Sequence, residues 1–207
     1  MKIAHIGVTG NVGRRIADEA LRRGHSVTGI ARDTTKIEAR PNLALKSGDA
    51  GDPDSLAQLI AKHDVVISSV AFRLAVPHKL IEAVRKSGVK RYVIVGGASS
   101  LEVEPGGKRV IDMPAFKERP EWLQNEARGG VEFLDILCSV SDLDWTFLSP
   151  AALITDGERT GKFRLGQNSL VKGEDGKSWI SYEDYAVALL DEVESPKHIR
   201  DRFTVGY

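Results

Sequence analysis

The residues with the clearest chemical pattern are three glycines near the start of the chain. Gly7, Gly10 and Gly13 follow a short apolar run and precede a stretch of helical spacing. Glycines in such a turn let the backbone approach a pyrophosphate, and the helix that follows offers free N–H groups to the phosphates. A glycine-rich connection that binds nothing remains the alternative, but the flanking strand and helix favour a dinucleotide site. The residues assigned to this site are Gly7, Thr9, Gly10, Asn11, Val12, Gly13 and Arg14.

One of these assignments and one neighbouring segment keep an open alternative. Arg14 adds a second cation near the phosphates, or is simply an exposed residue of the first helical turn. Ser68, Ser69 and Val70 follow the fourth apolar run, which should lie beside the first strand where the strand order reverses and ligands bind. We expect these three residues to run beside the adenosine ribose and the phosphates, with a plain strand end in the core as the competitor.

The residues after the second apolar run bear on which nicotinamide cofactor binds. An acid there accepts from the adenosine ribose 2′-hydroxyl and selects NAD, whereas a base pairs with a 2′-phosphate and selects NADP. Arg32 is the first polar residue beyond that run, and its planar guanidinium suits phosphate. Asp33 would take the ribose role if the register shifted by one residue. The sequence therefore favours NADP(H) over NAD(H).

The elements that must position these residues are read from the alternation of short apolar runs with amphipathic stretches. This alternation predicts an α/β fold, a Rossmann-like doubly wound parallel sheet flanked by helices. We expect one domain over residues 1–207, with a nucleotide-binding core (1–150) and a small acceptor-side extension (151–207). Strands are predicted over residues 2–7, 25–31, 43–46, 65–69, 91–95, 144–148 and 202–205. Helices are predicted from residues 12, 53, 77, 121 and 183, and residues 163–171 and 177–180 are predicted as paired strands around the Asp175-Gly176 turn.

Composition excludes several functional classes. The 207 residues carry 29 Lys+Arg and 29 Asp+Glu, which argues against a nucleic-acid or membrane-surface partner. Cys138 is the only cysteine, so an intramolecular disulfide and a cysteine-based zinc site are excluded, and its place on an apolar helical face predicts a core residue. The histidines show no metal-ligand spacing, and the longest apolar stretch is too short to span a membrane. We therefore expect a cytoplasmic protein without a metal site.

Several motifs resemble those of one family. The glycine spacing is GxxGxxG, and the segments Gly96–Leu101 (GGASSL), Ile180–Ala186 (ISYEDYA) and Arg202–Tyr207 (RFTVGY) follow later. The chain resembles the short-chain dehydrogenase/reductase superfamily in its atypical branch, and within it the NADH-flavin reductase group. The resemblance implies that Asp49 lies beside the adenine ring, that Gly96 and Gly97 contact the cofactor, and that Pro150 lies against the nicotinamide.

The catalytic apparatus departs from the pattern common in this superfamily. Members commonly use a serine and a Tyr-x-x-x-Lys pair, but no tyrosine occurs between Tyr92 and Tyr182. Ser99 and Ser100 remain as hydrogen-bond donors to an acceptor, or only as caps of a helix. Hydride transfer to an electrophilic acceptor needs mainly orientation.

The sequence therefore predicts a reductase that passes hydride from NADPH to a small flavin or quinone acceptor, with residues 102–120 as a lid. A non-catalytic NADP sensor of the nitrogen-metabolite-repression type is the alternative, and a sugar-nucleotide epimerase or dehydratase is a weaker one. The sequence leaves the oligomeric state open.

Overall fold

The computed structural model describes residues 1–35, 37–74 and 76–207. Apolar runs become strands, and the amphipathic stretches between them become helices that cover both faces of the sheet. The strands are β1 (Lys2–Ile6), β2 (Ser26–Ala31), β3 (Leu43–Ser47), β4 (Val65–Ser68), β5 (Arg91–Val95), β6 (Asp144–Ser149), β7 (Leu153–Thr155), β8 (Arg164–Gly166), β9 (Trp179–Ser181) and β10 (Asp201–Gly206). The helices are α1 (Asn11–Arg22), α2 (Pro53–Ile60), α3 (Pro77–Ser87), α4 (Glu121–Leu137) and α5 (Tyr182–Glu194).

The main sheet has eight strands in the order β3-β2-β1-β4-β5-β6-β10-β8. All neighbours are parallel except β8, which runs antiparallel to β10. The order reverses between β1 and β4, where Ile6 is paired with Ser68. This reversal creates a crevice at the carboxyl ends of the strands, which is where doubly wound sheets bind ligands. The predicted Rossmann-like fold is confirmed.

The residues predicted to begin α2 and to end α3 do so in the structure. Asp52 caps α2 by accepting from the backbone N–H of Ser55 at 3.1 Å, and Pro53 occupies the first turn. Gly88 ends α3 in the left-handed conformation.

The core has one apolar layer on each face of the sheet. Helices α2, α3 and α4 cover one face with residues such as Leu56, Leu80 and Phe133. Helices α1 and α5 cover the other face, where Ile16 and Tyr185 are fully buried. Since the central strands are buried on both faces, their runs are apolar throughout.

The tail differs from the predicted hairpin. Strand β8 pairs with β10, and β9 pairs with β7 in a separate two-stranded sheet. The turn at Asp175-Gly176 does form, since Gly173 donates to the carbonyl of Lys177. The strands on either side of this turn nevertheless do not pair with each other. Strand β8 pairs instead with the free edge of β10, and β9 pairs with β7.

The prediction that Cys138 is a core residue is wrong. Helix α4 ends at Leu137, and Cys138 is the exposed residue at its end. The backbone tightens there, with Ser139 donating to Ile136 and Val140 to Leu137, so the apolar face does not continue through Cys138.

Residues 102–120 are only partly regular. They contain two single-turn 3₁₀ segments, Val110–Asp112 and Pro114–Phe116. Ile111 lies in a groove beside Arg128 and Glu132 of α4. In the part of the chain that the structure describes, residues 102–120 line neither of the two cavities discussed below, so the predicted lid is not formed over them.

Candidate dinucleotide and acceptor sites

The turn after β1 requires glycine at two positions for reasons internal to the protein. Gly7 has a φ of +91°, and a Cβ there would lie 2.8 Å from the carbonyl carbon of Ser69. A Cβ at Gly13 would lie 2.3 Å from the carbonyl oxygen of Gly7. Any side chain at Gly13 would push α1 away from β1, so this glycine sets the close packing of helix on strand.

Gly10 has a different explanation. Its φ of −70° suits any residue, and the nearest atom to an added Cβ is the carbonyl oxygen of Gly7 at 3.6 Å. The protein itself would accept a side chain here. The open space above Gly10 therefore fits a ligand that approaches the backbone, as a pyrophosphate does in a dinucleotide site.

The start of α1 supplies the electrostatics for that ligand. No side chain caps the helix, and its first turn contains no acidic residue. The first N–H groups of a helix lack partners within it and carry partial positive charge, so an anion is favoured at this end. Arg14 is exposed, and its Nε donates to the carbonyl of Thr9 at 3.1 Å, which holds it along the turn.

A histidine that the sequence gave no reason to select holds the same turn. His5 is fully buried in β1, and its Nε2 lies 2.9 Å from the Ser69 hydroxyl oxygen. Ser69 in turn donates to the carbonyl of Gly7 at 3.0 Å. Since the Ser69 hydroxyl hydrogen is directed at the carbonyl of Gly7, the His5 Nε2 donates to the Ser69 oxygen. Burial lowers the pKa of His5 to about 3. His5 therefore stays neutral and fixes Ser69 against the glycine turn.

The first cavity has a volume of about 280 Å³ and lies over this turn. It brings together residues from the ends of β1, β2 and β3 and from the connection after β4. Among the predicted site residues it is lined by Gly7, Thr9, Gly10, Arg32, Asp49, Ser69 and Val70. Ala71 and the half-exposed Leu74 also line it, although no pattern in the sequence singled them out.

The remaining predicted residues of this site lie at its edge. Asn11 and Val12 form the first turn of α1, while the Ser68 side chain is buried at the end of β4. Asp49 accepts from the backbone N–H of Gly51 at 2.8 Å, which closes the turn before α2.

Arg32 and Asp33 are adjacent in the sequence but lie in different surroundings. Arg32 is exposed at the rim of the first cavity. Asp33 is engaged in a local turn, where Oδ1 accepts from the backbone N–H of Thr35 at 2.9 Å and from its hydroxyl at 2.6 Å. Of the two, Arg32 is the residue that lines the first cavity.

The second cavity, of about 250 Å³, lies at the ends of β5 and β6. The structure places the predicted residues Gly96, Gly97, Ser99, Ser100 and Pro150 together in its wall. A Cβ at Gly96 would lie 2.4 Å from a ring carbon of Phe147, so packing demands glycine there. At Gly97 the nearest atom is a Phe72 ring carbon at 3.5 Å, an ordinary contact, so this glycine leaves space on the cavity side.

The two cavities are joined by the connection between β4 and α3. Ser69, Ala71 and Leu74 line the first cavity, and Phe72 lines the second. Glu126 of α4 fixes this connection by accepting from the backbone N–H groups of Phe72 and Arg73 at 2.7 and 3.0 Å. The walls of the two cavities therefore share one chain segment, which keeps the cavities next to each other.

Helix α4 presents no proton relay to the second cavity. Its lining residues are Leu123, Glu126, Ala127, Gly130 and Val131. Glu126 is the ionisable residue among them, and its carboxylate also pairs with the Arg73 guanidinium at 3.2 Å. Tyr185, which belongs to the core as predicted, donates to the carbonyl of Leu148 at 2.6 Å, and burial raises its pKa. The Tyr-x-x-x-Lys arrangement is absent from the described wall of this cavity.

Two other kinds of site were searched across residues 1–35, 37–74 and 76–207. Within these ranges, no group of three or more His, Cys, Asp or Glu side chains is placed to hold a metal ion. Within the same ranges, no helix combines the length and the apolar character needed to cross a bilayer.

The strand order, the glycine turn and the cavity over that turn define a dinucleotide-binding Rossmann protein. A family model described as NAD(P)H-binding matches residues 7–196, and the chain belongs to this NAD(P)H-binding family. The family expected from the sequence is thereby confirmed as an NAD(P)H-binding one.

Three similar proteins illustrate the range of the family. The uncharacterized protein YwnB of Bacillus subtilis is 36% identical, over 99% of this chain and 98% of its own length. A structure named as a putative NADH-flavin reductase from Streptococcus pneumoniae is 34% identical with a TM-score of 0.83, covering 100% of this chain and 99% of the other. A structure named as a putative epimerase from Bacteroides thetaiotaomicron is 38% identical with a TM-score of 0.92, covering 100% and 96%.

Proposed function

We propose that this chain is a reductase that passes hydride from NADPH to a flavin, a quinone or a similar conjugated acceptor. The observation that carries the proposal is the second cavity. Its wall shares the β4–α3 connection with the first cavity, it includes two serines, and its described lining contains no tyrosine. The name of the Streptococcus relative, which refers to flavin reduction, supports the same chemistry.

The residues present suit an acceptor that is itself electrophilic. When bound, the dihydronicotinamide supplies the hydride. Gly97, Pro150, Phe72, Ser99 and Ser100 line this cavity. In this proposal Gly97 and Pro150 leave space for a flat ring, and the two serine hydroxyls orient an acceptor oxygen. Hydride transfer to such an acceptor needs orientation rather than a proton relay in the same step.

An isomerase or epimerase would need more. Inverting a carbon centre requires an acid and a base that reach the reacting atom. Glu126 is the ionisable group in the described wall, and three hydrogen bonds already engage its carboxylate. The geometry therefore favours the reductase over epimerisation, although one similar structure carries an epimerase name.

We propose NADPH rather than NADH as the donor because Arg32 lies at the rim of the nucleotide cavity, where a 2′-phosphate would be read. Arg32→Ala should weaken NADPH binding by about 1–3 kcal/mol and leave NADH binding nearly unchanged. Arg40→Ala, which removes an exposed arginine paired with Asp18, is the matched control. Equal losses for both cofactors in a fluorescence titration would show that Arg32 does not read the phosphate.

The activity is tested by following NADPH oxidation with flavin mononucleotide and with a soluble quinone. The proposal predicts turnover above the uncatalysed background with at least one of them, and loss of that turnover in a variant that cannot bind NADPH. Background rates with both acceptors, together with tight binding of NADP and NADPH, would instead support a nucleotide sensor.

We place the activity in the cytoplasm, where an exposed thiol such as Cys138 stays reduced.

A further inference from the structure

The guanidinium of Arg202, at the start of β10, is partly buried and donates to two neutral side chains, while the backbone N–H of Arg202 donates to the Asp201 carboxylate at 2.8 Å. Its Nε and Nη2 donate to the Asn168 side-chain oxygen at 3.2 and 2.8 Å, and its Nη1 donates to the Ser100 hydroxyl oxygen at 3.1 Å. Among the described residues, no carboxylate forms an ion pair with it within 4.0 Å. Arg23 and Arg91, which are similarly buried, each pair with a glutamate.

The positive charge of the Arg202 guanidinium could therefore be compensated further by a negatively charged ligand. Burial lowers the pKa of the Arg202 guanidinium, and the more distant carboxylates of Asp201 and Glu102 oppose that effect. An arginine keeps its charge under these conditions. A buried charge is normally compensated by a partner, so a partly compensated one beside a cavity points to a ligand.

The bond from Arg202 to Ser100 is not needed to hold the segment that carries Ser100. The next residues are already fixed by backbone hydrogen bonds. Glu102 donates to the carbonyl of Asn168 at 2.8 Å, Leu170 donates to the carbonyl of Glu102 at 2.9 Å, and Val110 donates to the carbonyl of Leu101 at 2.8 Å. A purely structural role for the guanidinium would duplicate these contacts.

Ser100 connects this charge to the second cavity. Ser100 lines the cavity, and its oxygen accepts from Arg202. In the described part of the chain, the hydroxyl hydrogen of Ser100 has no acceptor, so it is available to a ligand. A hydroxyl whose oxygen accepts from a cation is a stronger donor, because hydrogen bonds in a chain polarise one another.

We propose that Arg202 is a positioning residue that acts through Ser100, and that the pair selects acceptors in which an oxygen becomes negative on reduction. This rests on the proposed reductase function. In the step, the dihydronicotinamide loses a hydride and is oxidised, and the acceptor gains one hydrogen nucleus and two electrons. The acceptor thereby gains one negative charge, which the Ser100 hydroxyl stabilises until water supplies a proton.

The variants that test this are Ser100→Ala, Arg202→Gln and the double variant. Arg164→Gln is the matched control, since that guanidinium donates to the carbonyls of Lys172 and Tyr207 in the same tail. With flavin mononucleotide as acceptor, each single variant should lower kcat by about tenfold to a hundredfold, at or below the range for removing a direct donor to an oxyanion. The KM for NADPH should stay unchanged. The double variant should be no slower than Ser100→Ala, because Arg202 acts through that serine.

A second readout does not depend on turnover. The protein loaded with NADP is titrated anaerobically with oxidised and with reduced flavin mononucleotide, the latter at a pH where it is anionic. The native protein should bind the reduced form more tightly, and Arg202→Gln should diminish this preference by about tenfold while Arg164→Gln retains it. Thermal unfolding of each variant checks that the fold persists.

The outcomes separate the two proposals. A native protein without turnover that still prefers reduced flavin would refute the reductase function and retain the role of Arg202. Turnover in the native protein, with kcat and the binding preference unchanged in Arg202→Gln, would overturn the role of Arg202 alone. Additive losses in the double variant, or no binding of either flavin form, would also overturn it.

Discussion

Gly10 and Gly13 should respond oppositely to the same substitution, although the motif makes them look equivalent. Gly13→Ala places a methyl group 2.3 Å from the backbone oxygen of Gly7, and a backbone atom cannot move aside as the end of a flexible side chain can. Gly10→Ala places its methyl group 3.6 Å from the same oxygen, in space that the protein leaves open. The first substitution therefore tests the packing of the fold, and the second tests the ligand site.

The expected magnitudes follow from these contacts. For Gly13→Ala, overpacking costs about 3 kcal/mol, and the higher helix propensity of alanine returns about 1 kcal/mol. The net loss is about 2 kcal/mol, or roughly 4–8 °C in Tm for a chain of this size. For Gly10→Ala, reduced freedom of the unfolded chain contributes about 0.4–1 kcal/mol, and the poorer fit of alanine to the N-cap position offsets about the same amount. Its stability should be nearly unchanged.

Binding should show the reverse order. The methyl group of Gly10→Ala occupies the space through which we expect the pyrophosphate to pass, so NADPH affinity should fall at least tenfold, which is about 1.4 kcal/mol. Thermal unfolding and the enhancement of NADPH fluorescence measure the two effects separately. Native affinity in a stable Gly10→Ala variant would refute the placement of the pyrophosphate. Native stability in Gly13→Ala would refute the packing argument.

Two further predictions concern buried ionisable groups. Because burial lowers the pKa of His5 to about 3, the unfolded chain takes up a proton at this residue below pH 6.5 and the folded protein does not. Stability should therefore fall by about 1.4 kcal/mol per pH unit below 6.5, and His5→Gln should remove that slope while keeping a donor to Ser69. His5→Leu should instead weaken NADPH binding severalfold, since it releases Ser69, and unchanged affinity in a titration would contradict this role. Burial opposes ionisation of Glu19, yet hydrogen bonds from Arg159, Arg22 and Arg23 outweigh it and lower the Glu19 pKa to about 2. The stability that this carboxylate contributes is present above its unfolded pKa of 4.5 and is lost as pH falls towards 2, so Glu19→Gln should lower stability at pH 7 and flatten that acid limb in urea unfolding curves.

The parts of the fold that the sequence predicted are those decided by local patterns. The apolar run before Gly7 specified β1, Pro77 and Gly88 marked the ends of α3, and the Asp52-Pro53 pair specified the start of α2. The glycine turn was recognisable because its spacing, its strand and its helix all agree. The family's later motifs identified the residues around Gly97 and Pro150, which the structure places in one wall.

The parts that the sequence did not predict depend on contacts between distant segments. The partner of β8 is decided by which sheet edge is open, and that edge exists only after β10 has paired with β6. His5 looked like an ordinary strand residue, because its role depends on Ser69, which is 64 positions away. Arg202 and Ser100 are 102 positions apart, and neither shows any spacing relation to the other.

The absence of a tyrosine relay is a property of the whole wall of the second cavity rather than of one substituted position. Helix α4 carries two consecutive glycines, and a Cβ on Gly129 or Gly130 would lie 3.0 or 2.9 Å from Phe72. Glycines inside a helix are destabilising by about 0.5–1 kcal/mol each, so their presence needs a compensating contact. Phe72 provides it, since its ring lies 6.1 Å from Phe133 edge-on and 6.1 Å from Phe147 in a stacked arrangement. The face of α4 that carries these two glycines is filled by an aromatic ring from the β4–α3 connection, and the polar residues in the described wall of the cavity are Glu126 and the serines after β5.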